Sequence, residues 1–173
     1  MPSESNIHLS GNTGGETELN AEINKASQDA YFGIIGMFNA ICGKMKTQES
    51  VDFNQIREAV DGIVALVRKD DRMLLGLANA PYSYVAHKAG AGISQMIVIS
   101  GVDIMIYSVK ISHEFGVADN HLSYIGVAAL CNNIGLLDSE DVSSNDEKLE
   151  KLRKTEEYET SAKKYIRKIR IDN

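Results

Sequence analysis

The most constraining feature of this 173-residue chain is the run over residues 96–106, where apolar side chains occupy nearly every face of a helical turn. The run has about half of the roughly 20 residues needed to cross a bilayer, and Ser100 and Asp103 interrupt it. A helix that is apolar nearly all round belongs at the centre of a bundle. We therefore predict a buried core helix and no membrane span.

Helical spacing of apolar residues recurs along the rest of the chain, which predicts an all-α fold. A stripe with steps of three and four residues predicts a long N-terminal amphipathic helix: Ile34, Phe38, Ile41 and Met45. Asp52 is placed to cap the next helix through its carboxylate. The sequence contains no run of alternating β-branched residues that would predict a strand. The expected architecture is a helical bundle with a long N-terminal helix.

Composition divides the chain into five segments. The first is rich in Ser, Asn, Gly, Thr and Glu and cannot offset its ordering entropy by burial, so we expect a disordered tail. The segments are the tail at 1–18, the amphipathic helix at 19–48, a helical core at 49–137, a polar linker at 138–146 and charged C-terminal helices at 147–173.

Net charge and targeting signals limit the classes of partner and the cellular location that we expect for this chain. The net charge of −6 and the pI near 5.2 give no general attraction to nucleic acid or to anionic membranes, so we expect neither as a partner. The N-terminus has no basic or apolar export signal, which favours the cytoplasm. Cys42 and Cys131 lie among apolar neighbours and are expected to be reduced, buried thiols.

Three segments resemble parts of a known family. Residues 128–136 (Ala-Ala-Leu-Cys-Asn-Asn-Ile-Gly-Leu) resemble the helix of HD-type phosphohydrolases, of the HD-GYP kind, that carries His-Asp followed by Ile-Gly-Lys. Residues 100–104 (Ser-Gly-Val-Asp-Ile) resemble the segment that begins with the first ligand histidine of that family. Residues 114–117 (Glu-Phe-Gly-Val) resemble the family's Glu-Leu-Gly-Leu helix end. The resemblance covers roughly residues 52–160 and implies an HD-like bundle.

The residues that differ are the ones that carry the family's chemistry. Ser100 stands where the resemblance implies the first histidine, and Asn132 and Asn133 stand where it implies His-Asp. Lys164 or Tyr165 occupies the place of a further ligand histidine. Neutral Ser and Asn are poor ligands for a binuclear metal site. The resemblance therefore implies no metal, no cofactor and no catalytic residue, with these positions lining a former active-site cleft.

The expected function is a non-catalytic regulatory or protein-interaction module in bacterial signalling. It would bind protein partners and form a homodimer through its long N-terminal helix. The alternative is an active metal-dependent phosphohydrolase of the cyclic-dinucleotide phosphodiesterase type, with non-standard ligands His87, His113 and His121. A third hypothesis is a helical adaptor unrelated to HD proteins, in which Asn132 and Asn133 would lie on the surface.

Three further motifs have both a functional and a structural interpretation. His113, Asp119 and His121 surround a turn and could ligate a metal, although their spacing matches no common site and favours a solvated turn. Residues 90–92 (Gly-Ala-Gly) could present amides to an anion, or could serve close packing. Residues 163–170 are basic and amphipathic, which suits either an acidic partner or a solvated helix face.

Overall fold

The computed structural model describes residues 13–89, 95–138 and 156–170, with side chains over 19–88, 96–137 and 156–169. These residues form seven α-helices, one 3₁₀ helix and two short strands. The elements in chain order are α1 (Thr13–Lys46), β1 (Val51–Asp52), α2 (Phe53–Lys69), α3 (Arg72–Ala78), α4 (Tyr82–Ala89), α5 (Gln95–Glu114), α6 (Asp119–Leu130), the 3₁₀ helix (Cys131–Asp138), α7 (Glu156–Ile166) and β2 (Ile169–Arg170). The all-α prediction is confirmed.

The apolar run forms α5, which packs against α1, α2, α3, α4, α6 and the 3₁₀ helix. Val98, Val102 and Met105 on α5 are fully buried. Within the described residues, α5 alone is long and apolar enough to cross a membrane, and 44% of that window is buried in the fold. The core helix of a soluble protein passes the same test, so length and composition here are weak evidence for a span.

Helix α2 shows how local sequence signals place an element. The Asp52 carboxylate accepts a hydrogen bond from the Asn54 backbone N–H at 2.8 Å, which satisfies one donor of the first turn. The buried stripe that follows packs α2 against α1 and α6: Ile56, Val60, Ile63, Val64 and Val67. Capping and periodicity therefore agree along this helix.

The ends of the predicted segments differ from the structure. Helix α1 begins at Thr13, so residues 13–18 of the predicted tail are helical. Glu16 and Glu18 have good helix propensity, which allows the helix to extend across them. The predicted linker at 138–146 and the residues up to 155 lie outside the described residues, apart from Asp138.

The C-terminal segment closes back onto the beginning of the core, and it is not entirely helical. Strand β2 pairs in parallel with β1, with Val51 opposite Ile169, and the Val51 N–H donates to the Lys168 carbonyl at 3.0 Å. The Lys168 ammonium donates to the Met45 carbonyl at 2.9 Å, at the end of α1. These contacts fix α7 beside the 3₁₀ helix, where the candidate site lies.

Candidate functional site

Ser100 and Asn133 meet where α5 crosses the 3₁₀ helix. The Asn133 side-chain amide donates to Ser100 Oγ at 3.1 Å, and Asn133 is only 2% exposed. Gly101 makes this crossing close, because a Cβ atom there would lie 2.7 Å from the Leu130 carbonyl oxygen. The absence of a side chain at Gly101 thus lets α5 approach the end of α6 and brings Ser100 within reach of Asn133.

Asn132 lies next to this pair and points outward. Its side-chain amide is 3.5 Å from Asn133 Oδ1, at the limit of a hydrogen bond, and the residue is exposed. Its backbone carbonyl accepts a hydrogen bond from the Tyr158 hydroxyl of α7. The Tyr158 ring occupies the space beside Gly135, where a Cβ atom would lie 2.7 Å from the ring. The structure therefore brings Ser100, Asn132 and Asn133 into one neutral polar cluster.

A carboxyl group lies one helical turn along α5 from Ser100 but faces a different helix. Asp103 Oδ1 accepts a hydrogen bond at 2.8 Å from the hydroxyl of Tyr31, a fully buried residue of α1. Burial raises the pKa of Asp103 to about 6, against the opposing effect of the Tyr31 hydrogen bond. The Asp103 carboxyl group therefore makes a polar contact between α1 and α5. The sequence patterns did not predict this contact.

The histidines of the alternative hypothesis lie on separate elements. His87 is exposed on α4, His121 is exposed on α6, and His113 is half-buried near the end of α5. The His113 Nδ1 atom is buried and has no hydrogen-bond partner among the described residues. Over the described parts of the chain, no three His, Cys, Asp or Glu side chains are grouped so that they could hold one metal ion. His113, Asp119 and His121, which surround the turn between α5 and α6, therefore do not form such a group.

Comparison with known protein families, with curated proteins and with solved structures finds no match to this chain. The resemblance to HD-type phosphohydrolases therefore rests on the residues quoted above.

An apolar groove opens beside Asn132, with a cavity volume of about 460 Å³. One wall is the face of α6 that continues into the 3₁₀ helix, and the other is the face of α7; we call this surface the apolar groove, defined by Tyr124, Val127, Cys131, Tyr158, Ala162 and Ile166. Its size and lining are typical of surfaces that bind apolar groups. Sequence patterns did not predict it, because a groove depends on how α6 and α7 diverge. The structure leaves two of its apolar side chains, Tyr124 and Ile166, exposed.

The two cysteines and the basic stretch contribute to packing and to surface ion pairs. Cys42 is buried and Cys131 is half-buried, both are free, and burial raises the pKa of each thiol to about 12. Neither is activated for nucleophilic attack. In the basic stretch, Tyr165 is fully buried and Lys163 pairs with Glu159 at 3.5 Å. The Gly-Ala-Gly motif at 90–92 lies outside the described residues.

Proposed function

We propose that this chain is a non-catalytic, HD-like helical domain that acts in the cytoplasm of a bacterium as a regulatory or protein-interaction module in signalling. The supporting observation is the neutral cluster of Ser100, Asn132 and Asn133. In the register implied by the resemblance, these residues stand where the family has metal ligands, and here the buried Asn133 amide is satisfied by Ser100 at 3.1 Å.

The chemistry of the cluster favours binding over hydrolysis. Amide and hydroxyl groups carry no charge, so they compensate poorly for the desolvation of two cations. Ser100 Oγ already accepts the hydrogen bond from the Asn133 amide, so the hydroxyl oxygen that could contact a metal is engaged within the protein. The apolar groove begins at Asn132, so a binding surface adjoins the former site.

The first experiment measures metal content and hydrolysis on the unmodified protein. Protein purified without chelators is analysed by inductively coupled plasma mass spectrometry and assayed with a generic phosphodiester. We expect well below one transition ion per chain and no hydrolysis. One or two bound ions per chain together with hydrolysis would contradict the proposal, and His87, His113 and His121 would then be the first residues to substitute.

A second experiment tests the register of the resemblance. The triple variant Ser100→His, Asn132→His and Asn133→Asp restores the ligand types that the resemblance implies. We expect it to bind Mn²⁺ or Zn²⁺ at least about tenfold more tightly than the unmodified protein, by isothermal titration calorimetry.

The matched control places the same residue types on three separate helices, as Ser83→His, Asn20→His and Asn120→Asp. All three positions are exposed, so folding should be retained, and we expect no gain in metal affinity. Circular dichroism verifies that both triple variants are helical. Equal affinities in the two folded variants would remove the support for an HD-like site.

A further inference from the structure

We draw no further inference here: the strongest candidate, the apolar groove between α6 and α7, has no charged side chain among the described residues that line it, so nothing in the structure shows what covers it.

Discussion

At the scale of single residues, the buried contact between Tyr31 and Asp103 makes stability depend on pH. The pKa of Asp103 is about 6 in the folded protein, above the value near 3.9 of an unperturbed aspartate. The folded state therefore holds this proton more tightly than the unfolded chain does. The protonated Asp103 carboxyl group therefore contributes most to the free energy of unfolding below about pH 4. This contribution declines as the pH rises to about 6, because the folded protein then loses the proton. Burial also raises the pKa of Tyr31, which remains a hydrogen-bond donor throughout.

The substitution Asp103→Asn tests this contact. An amide oxygen can accept the same Tyr31 hydrogen bond and does not ionise. We expect the variant to be more stable than the unmodified protein by about 1 to 2 kcal/mol at pH 8, with the difference vanishing near pH 4. Thermal unfolding followed by circular dichroism at both pH values measures it. Exposed Asp29→Asn on α1 is the control, and a gain of equal size at both pH values would argue against ionisation of Asp103.

The residue scale also shows what the sequence can and cannot predict about the site. The resemblance assigned Ser100 and Asn133 to one site, and the distance between Asn133 Nδ2 and Ser100 Oγ is 3.1 Å. Periodicity indicates which face of a helix is apolar, but it does not say which buried polar atoms meet across two helices. The bond between Tyr31 and Asp103 was missed for that reason. The C-terminal strand was missed because two residues are too few for an alternating pattern.

At the scale of helices, packing at glycine decides how closely α6 can approach its neighbours. A Cβ atom at Gly126 would collide with Val60 Cγ1 of α2 and lie 3.2 Å from Val109 Cγ2 of α5. Both valines are fully buried and β-branched, so they have little rotamer freedom to move away. Gly62 on α2 is the contrasting case, because it is exposed and a Cβ atom added there would have no described atom within 4 Å.

These two positions predict opposite effects of the same substitution. Gly62→Ala should stabilise the protein by about 0.5 to 1 kcal/mol, because alanine has the higher helix propensity. Gly126→Ala gains the same propensity but overpacks the α2, α5 and α6 contact, so we expect a net loss of about 1 to 2 kcal/mol. Urea denaturation gives both values. If Gly126→Ala were as stabilising as Gly62→Ala, the close contact between α6 and α2 would be incorrect.

At the scale of the whole molecule, the C-terminal segment packs where α1 ends and α2 begins. Tyr165 is fully buried, Lys168 donates to the Met45 carbonyl at 2.9 Å, and β2 pairs with β1. Composition alone suggested a charged C-terminal segment separate from the core. Lys168 and β2 instead join the C-terminal segment to the end of α1 and to β1, and Tyr165 belongs to the hydrophobic core. The apolar groove therefore has walls that belong to one folding unit.

Cooperative unfolding tests that conclusion. Tyr165→Ala removes a buried ring and should lower the free energy of unfolding by about 3 to 4 kcal/mol while urea unfolding retains a single transition. Tyr84→Ala, at a residue that is 48% exposed, should change stability by less than about 0.5 kcal/mol. Circular dichroism follows helix content, and tyrosine fluorescence follows packing. Coincident curves mean that α7 melts with the core, whereas an early loss of helix in the unmodified protein would make α7 a separate unit. The apolar groove would then exist only while that unit is docked, and any ligand of the groove would stabilise the docked position of α7.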